Sequence, residues 1–441
     1  MRVLISTAGS HGDVLPFVAL GREFAARGHE VILYANPFFR SYTTDAAIRF
    51  VPISTVEKYS SLFGELADGD PSRAFKRVAR EYAEICPEYY RAMKSDVVPG
   101  ETIAIGNSLL FSPRLLRETD HIPCATVHLA PSVFRSDLRP PRLVPNWINS
   151  HTSSLLKRTA WWMLDKIFYD PNFTAPLNRY RAELGLPSVD RIFRSWIHEA
   201  DCVVGLFPDW FGEPQSDWPG HVALADFPLY DHGNQVSLSP RLDEFIKAGQ
   251  PPVAFSAGTA TATAHEFFQT SVEASETAGL RAILLTHFPQ QVPASLPKGV
   301  IHVDYAPFGA LLPKLAAFVH HGGIGSTSQA FRAGVPQLIR PVAYDQFDNS
   351  DRAVRLGVAQ EVLPKQYVPH VVADVLKKLT TDSSLHQRCQ QIAMRFTNCN
   401  SIVTACDSIL SRLCEVAPNP AVQGTLRDTA AQRRLVPRHR P

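Results

Sequence analysis

IHVDYAPFGALLPKLAAFVHHGGIGSTSQAFRAGVPQLIRPVAYDQFDNSDR, residues 301–352, decides the fold. Leu315 to Val319 is an apolar, partly β-branched run between turn residues, which predicts a short buried strand. His320, His321, Gly322, Gly323 and Gly325 follow, and glycines there let backbone amides approach an anion without interference from Cβ atoms. Ser326 to Ala333 reads as a helix closed by Gly334 as its C-cap. A strand, a glycine-rich turn and a helix N-terminus in that order favour a bound phosphate, through unpaired N–H groups and the helix dipole. Gln337 to Arg340 predicts the next parallel strand. Asp345 and Gln346 then fall just beyond its carboxyl end, where open α/β sheets bind ligands, and Asn349 closes the segment. Tyr305 and Pro307 open it with an aromatic-X-Pro turn. A flat ring for a base, a turn for phosphates and a carboxylate–amide pair for sugar hydroxyls are what a nucleotide-sugar requires. GGIG alone is a weak sign; the constellation is a strong one.

The same alternation extends outward in both directions. Val3–Ser6, the turn Ala8–Gly12, a helix from about Leu15 to Ala26 and Val31–Tyr34 predict a βαβ opening with Gly28 as a helix C-cap. It continues through Ala104–Gly106 and Cys124–Leu129. A second series begins at Pro252 with VAFSAG and runs through AILL at Ala282–Leu285 into the quoted segment. The expected fold is therefore α/β, with two doubly wound, Rossmann-like units facing each other across a cleft. The expected bounds are 1–230 for the N-terminal domain, 240–415 for the C-terminal domain and 416–441 for a disordered basic tail. The linker falls near Phe227–Ser239, where Pro, Asp, His, Gly and Asn cluster.

Length and composition agree with two domains. The chain has 441 residues, 45% apolar and 20% charged, with a formal charge of +2. That near-balance gives no argument for a nucleic-acid partner. No apolar run reaches the ~18 residues that span a bilayer, and the opening VLIS lacks a signal-peptide plan, so a cytoplasmic location is expected. The seven cysteines form no CxxC pair. Cys399 and Cys406 share a helix face, but reduced core thiols account for them without a metal. DGD at 68–70 reads as a surface turn rather than a metal-binding motif, and no metal or cofactor is expected.

The quoted segment resembles the donor-binding signature of the family 1 (UGT-type) glycosyltransferases of GT-B fold, and the resemblance covers roughly residues 1 to 410. Within that family LFPDWFGEPQSDWPG (206–220), DFPLYD (226–231), YAPFGALLP (305–313) and DQFDN (345–349) are similar to the branch of bacterial rhamnosyltransferases that serves rhamnolipid synthesis. That branch has Pro where this chain has His321 and keeps the histidine matching His320. The wider family uses the second position for the diphosphate, so His321 is the expected contact, with His320 in reserve. The resemblance also implies phosphate contacts from Gly258, Thr259, Gly323, Gly325 and Ser326. It implies base stacking on Tyr305 above Pro307, and sugar contacts from Asp345 and Gln346. Phe308 departs from the family's usual Gln.

Transfer of a sugar needs a base for the acceptor hydroxyl and donors for the departing diphosphate. Asp13, in GSHGDVLPF, follows the first glycine-rich turn. It suits a helix N-cap, and the resemblance implies a base there, with His11 as its rival. A one-step displacement inverts the anomeric carbon. The acceptor wall is less determined: Phe17, His128, Phe134 and the helix in SSLLKRTAWWMLDKIFYD (153–170) suggest an apolar pocket. The aromatic stripe of that helix reads first as core packing, and second as an interfacial face touching lipid. The basic tail reads as solvated, with acidic lipid or protein as its alternative partner.

The expected function is an inverting, metal-independent glycosyltransferase. It moves a rhamnose- or glucose-type sugar from a dTDP- or UDP-sugar to a hydroxyl of an apolar acceptor, for which the resemblance implies a β-hydroxyacyl lipid. A nucleotide-sugar epimerase and a non-catalytic donor-binding partner of another transferase are the alternatives. A dehydrogenase lacks its acidic ribose ligand after a GxGxxG turn. Peripheral contact with a membrane is a further expectation, and oligomeric state is left open.

Overall fold

The computed structural model describes the chain except residues 45–46, 66–70, 144–147, 149–150, 230–236, 259–263, 398–399 and 417–441. The DGD segment, Thr259, Cys399, most of the expected linker and the tail from residue 417 lie outside the described residues. Two parallel sheets carry the fold. The first has seven strands: β1 (Arg2–Ser6), β2 (Glu30–Ala35), β3 (Ile48–Pro52), β4 (Thr102–Asn107), β5 (Cys124–His128), β6 (Cys202–Leu206) and β7 (Val222–Ala225), in the order β3-β2-β1-β4-β5-β6-β7. The second has β8 (Val253–Ser256), β9 (Ala282–Leu285), β10 (Val300–Val303), β11 (Ala317–His320), β12 (Gln337–Ile339) and β13 (Ala359–Glu361), in the order β10-β9-β8-β11-β12-β13. Both are doubly wound, as expected. The central strands are buried along their whole length because helices cover both faces, which is why they read as continuous apolar runs instead of alternating ones.

Seven helices matter for the site: α1 (His11–Ala26), α2 (Pro71–Ser95), α3 (Ser154–Leu164), α4 (His265–Ala278), α5 (Ile324–Ala333), α6 (Gln346–Arg355) and α7 (Ser401–Val416). Each sheet reverses direction at one point, between β1 and β4 and between β8 and β11. Loops diverge there and leave a crevice at the strand carboxyl ends. The turn after β1 opens onto the first crevice, and the turns after β8 and β11 open onto the second.

Several boundaries differ from the sequence reading. Helix α1 begins at His11, not Leu15, because Asp13 Oδ2 accepts from the Ser10 amide and hydroxyl and closes the first turn on its N-cap. Strand β11 begins at Ala317, since Leu312–Lys314 forms a tight turn first. Helix α5 starts at Ile324, and its C-cap Gly334 has the left-handed φ of 64° expected of it.

The domain bounds need a larger correction. Helix α7 does not belong to the second domain's core, although the expected bounds placed residues up to 415 there. Ala405, Cys406, Ile409, Leu410 and Leu413 pack with Val3, Ile5, Phe17 and Val204 of the first domain. Arg27 fixes the helix further, donating to Asp407 Oδ1 at 2.6 Å and to the Val403 carbonyl at 3.2 Å. The chain thus crosses back at its end, which a linear split by composition does not reveal. Other contacts tie the halves together. Arg142 pairs with both Glu361 oxygens at 2.7 and 3.0 Å, and Arg352 donates to the Phe211 carbonyl at 2.8 Å.

Candidate active site

A cavity of about 1480 Å³ lies between the sheets at the two switch points. Its floor on the first domain is the turn after β1. Asn107 donates to the Ala8 carbonyl at 3.0 Å, Tyr82 to the same oxygen at 3.1 Å and Tyr89 to the Thr7 carbonyl at 2.8 Å, so three side chains hold that turn. Asp13 is the third residue of α1. Its Oδ2 accepts from the Ser10 amide at 2.8 Å and from the Ser10 hydroxyl at 2.9 Å, a short version of the capping box. No described group bonds Oδ1, so the carboxylate is oriented through one oxygen while the other is left for a ligand. Gly9 makes room for it, with φ of 121° and a position where a Cβ would come within 2.5 Å of Asp13 Oδ2. Burial raises the Asp13 pKa above its ordinary value, partly offset by the two Ser10 bonds. The N-cap is therefore Ser10 and not Asp13, which accepts from it and forms part of the cavity wall.

His11 also lines the cavity, but its Nε2 lies 3.0 Å from the Tyr42 hydroxyl. Its ring packs edge-on against Phe38 and Phe39. That ring is braced by aromatics, whereas Asp13 has an oxygen to offer.

The opposite wall is the second domain's switch point. His321 follows β11, and its ring lies between two glycines. A Cβ on Gly258 would sit 2.7 Å from the ring and one on Gly323 2.5 Å from Nε2. Only glycine fits at either position without displacing the imidazole, which gives the glycine pattern a steric cause. Burial pushes the His321 pKa down to about 4, so the ring is neutral at pH 7. Its Nδ1 is buried without a hydrogen-bond partner among the described residues, an arrangement that costs about 1–3 kcal/mol. Gly323, Ile324, Gly325 and Ser326 border the cavity beside it. They are the N-cap and first turn of α5, whose leading amides have no partner within the helix.

His320 has a different environment. It is fully buried and does not line the cavity. Its Nδ1 accepts from the Gly322 amide at 3.1 Å, so Nε2 carries the proton and donates to Gln337 Oε1 at 2.9 Å. Both ring nitrogens are used in shaping the turn, and the reserve role at the diphosphate does not fit that geometry.

Asp345 and Gln346 border the cavity at the start of α6. The Gln346 side-chain Oε1 accepts from the Val342 and Ala343 amides at 2.8 and 3.1 Å, closing the loop on itself. Asn349 donates to Asp345 Oδ2 at 2.8 Å and to the Gly322 carbonyl at 3.0 Å, tying this loop to the glycine turn. Burial pushes the Asp345 pKa up to about 7; the Asn349 bond lowers it and the facing Asp13 charge raises it. The Asp13 charge thus reaches Asp345 across the cleft. Tyr305 is a half-exposed ring on the rim. Pro307 is buried as the N-cap of Phe308–Leu311 and positions Tyr305 without lining the cavity.

Arg340 escaped the sequence reading as a site residue because it ended an expected strand. It lines the cavity just past β12. Its guanidinium lies over the rings of Phe267 and Tyr367 at 5.7 and 5.3 Å, and Nε is buried without a partner. No described carboxylate pairs with it. It therefore brings positive charge to the anion side of the cavity.

The acceptor wall is where expectation and structure part. Phe17 is buried in the core under α1. His128 is fully buried, with Nδ1 at 2.8 Å from the Ser108 hydroxyl and Nε2 at 3.1 Å from His198 Nδ1. Phe134 stacks between His198 and Trp218 at 5.2 and 4.5 Å. None of the three lines the cavity; each came from a segment that ends near it but turns its side chain inward. The wall is instead Phe75, Val78, Tyr82 and Ile85 of α2, with Tyr169, Phe173 and Phe193 from the segment that follows α3. The helical spacing of 75, 78, 82 and 85 was the available signal. Arg135, also on the wall, is neutralised by Asp165 at 2.5 Å.

Comparison with known proteins fits this architecture. Residues 3–136 match the model of the glycosyltransferase family 28 N-terminal domain, and residues 275–400 match that of the erythromycin biosynthesis protein CIII-like C-terminal domain. The chain is 30% identical to O-mycaminosyltylonolide 6-deoxyallosyltransferase of Streptomyces fradiae over 361 residues, 78% of this chain and 81% of that one. It is 24% identical to the sterol 3-beta-glucosyltransferase of Saccharomyces cerevisiae (strain YJM789), over 92% of this chain and 35% of that one. The crystal structure of the glycosyltransferase VinC in complex with dTDP superposes with a TM-score of 0.66 at 20% identity, over 94% of this chain and 99% of that one. No helix among the described residues is long and apolar enough to cross a membrane. With two doubly wound domains, a cleft at both switch points and these relatives, the chain belongs to the GT-B glycosyltransferases of the family 28 and CIII-like type.

Proposed function

We propose that the protein is an inverting glycosyltransferase that moves a hexose or deoxyhexose from a dTDP- or UDP-sugar to the hydroxyl of an apolar, lipid-like alcohol. The observation that carries this reading is the pairing of Asp13, with one oxygen unbonded, against a donor wall built from His321, the α5 N-terminus and Asp345. The acceptor O–H gives its proton to Asp13 as its oxygen attacks the anomeric carbon. The bond from that carbon to the diphosphate oxygen breaks, and the diphosphate leaves with the electron pair. Amides of the α5 first turn, His321 and Arg340 stabilise the developing charge. Gly258 and Thr259 contribute backbone or hydroxyl contacts, Tyr305 stacks the base, and Asp345 and Gln346 hold the sugar hydroxyls.

A raised pKa makes Asp13 a better base than an ordinary carboxylate, and burial by a bound acceptor raises it further. The dTDP in the VinC structure and the 6-deoxyallosyl donor named for the Streptomyces relative support a thymidine-linked deoxyhexose. The sterol named for the yeast relative, and the aromatic wall, support an apolar acceptor. The motif resemblance to the rhamnolipid branch favours rhamnose and a hydroxyacyl tail. An acceptor of that kind resides in or on a bilayer, so peripheral membrane contact belongs to the same reading. Neither an epimerase nor a silent binding partner accounts for the apolar chamber beside Asp13.

The test is nucleotide release from dTDP-rhamnose, dTDP-glucose and UDP-glucose, each with and without a 3-hydroxyacyl lipid. Release that depends on the lipid supports the reading and names the donor. Donor binding without release for any alcohol in an apolar panel contradicts it.

A further inference from the structure

Helix α3 and the π-helical stretch Asp165–Thr174 that continues it have their polarity reversed. The face turned to the protein carries Lys157, Trp161 and Asp165, four residues apart, with Lys157 3% and Asp165 9% exposed. Lys157 Nζ donates to the Asp137 carbonyl at 2.8 Å, and Asp165 accepts from Arg135. The outward face carries Leu155, Leu156, Trp162, Met163, Ile167 and Phe168, with Leu155 78%, Trp162 60% and Ile167 57% exposed. A helix that only packed on the core would present the opposite pattern, and six large apolar side chains together on a surface mark a contact site.

We infer that this face docks on an anionic lipid bilayer and delivers the acceptor to the cavity. Two observations select a bilayer. Basic side chains border the face: Arg158 on α3, which has no acidic residue, and Arg73, Lys76, Arg77 and Arg80 on the first part of α2, ahead of its acidic residues Glu81, Glu84 and Glu88. Tryptophan and aliphatic side chains flanked by basic ones suit the headgroup boundary of acidic lipids. The face is also continuous with the acceptor wall. Phe168, at its edge, meets Phe75 at 6.3 Å, and Phe75 meets Tyr169 and Phe173 at 5.5 and 5.6 Å, all three on the cavity. An apolar chain leaving the bilayer there passes along aromatic surface into the site without crossing water.

The inference rests on the apolar-acceptor reading, and flotation separates the two. Wild type is expected to float with phosphatidylcholine–phosphatidylglycerol vesicles, less so at high salt, and weakly with phosphatidylcholine alone. Leu155→Glu/Trp162→Glu, at exposed positions off the cavity, is expected to keep its melting temperature and its turnover on a detergent-dispersed alcohol. Its turnover on the same alcohol embedded in vesicles should fall roughly tenfold or more. Failure of wild type to float, or flotation unchanged in the double variant, overturns the docking face while leaving the transferase reading intact. A dimer that the double variant dissociates, without vesicle binding, also overturns it and assigns the face to a second copy. Flotation without turnover on any alcohol overturns the acceptor reading and, with it, the delivery role.

Discussion

The donor wall and the acceptor wall of one cavity are built in opposite ways. On the donor side the contacts come from backbone and from side chains clamped to it: His321 between two glycines, Gln346 closing its own loop, Asn349 joining two turns. On the acceptor side they come from apolar and aromatic side chains on α2 and the segment that follows α3, with no backbone motif. A phosphate needs amides and close approach, so the sequence there is confined to a few residue types at fixed spacing. An apolar surface needs only area, which many residues supply. The difference predicts that donor-wall changes act steeply and changes in the apolar acceptor lining act gradually, with the base Asp13 standing apart from both.

Asp13→Asn should have the largest effect, lowering kcat by about 10²–10⁴ with donor affinity nearly unchanged in calorimetry. Next comes Gly258→Val, which places a branched side chain where the His321 ring sits, at a φ of 92° that only glycine adopts easily. The strain is on the order of 1–3 kcal/mol, and equilibrium binding of the nucleotide should weaken by roughly tenfold or more while acceptor KM holds. If acceptor KM moved as much, the two walls would not be separable.

His321→Ala removes a neutral hydrogen-bonding group, so donor binding should weaken by about 1–3 kcal/mol. Because its pKa lies near 4, no step in the pH profile between 6 and 8 should disappear with it, which kinetics from pH 5 to 9 would show. Asp345 should produce that step. Its carboxyl is protonated below about 7 and accepts hydrogen bonds from sugar hydroxyls best when ionised, so donor KM should fall as pH rises through 7. Asp345→Asn should abolish the dependence. Stability has the matching sign: the unfolded chain releases this proton near the ordinary carboxylate value and the folded chain near 7. Folding therefore weakens as pH rises across that window, and thermal melts of Asp345→Asn should lose this component. The smallest effect belongs to Tyr82→Phe, which deletes the bond to the Ala8 carbonyl and should cost about 0.5–1.5 kcal/mol of stability, with acceptor KM changed only a few-fold.

Legibility in the sequence followed the same division. Strands β1, β2, β4, β5, β8, β9, β11 and β12 and the glycine turn were readable from the sequence, because buried parallel strands and phosphate turns have narrow sequence requirements, whereas the strand order and the edge strands were not. The preference for His321 over His320 rested on the resemblance alone; adjacent positions at a strand end face opposite ways, and the Gln337 and Gly322 bonds show that His320 is structural. Arg340 was hidden because a strand terminus gives no cue that its side chain enters a cleft. Phe17, His128 and Phe134 were misplaced for the converse reason, being near the cavity in sequence but turned into the core. The return of α7 to the first domain left no trace, since its apolar face suits either core equally. The α3 stripe was expected first as core packing. Only burial showed that Trp161 fits that description and Trp162 does not.

The central claim is that the two walls do separate work, with Asp13 serving the acceptor alone. The measurement that tests it most directly is donor affinity and acceptor-dependent nucleotide release, taken on the same preparations of wild type and Asp13→Asn. The account predicts equal donor affinity and a release rate that an added alcohol accelerates in wild type but not in the variant. Equal acceleration in both, or a donor affinity that falls in step with release, would contradict it.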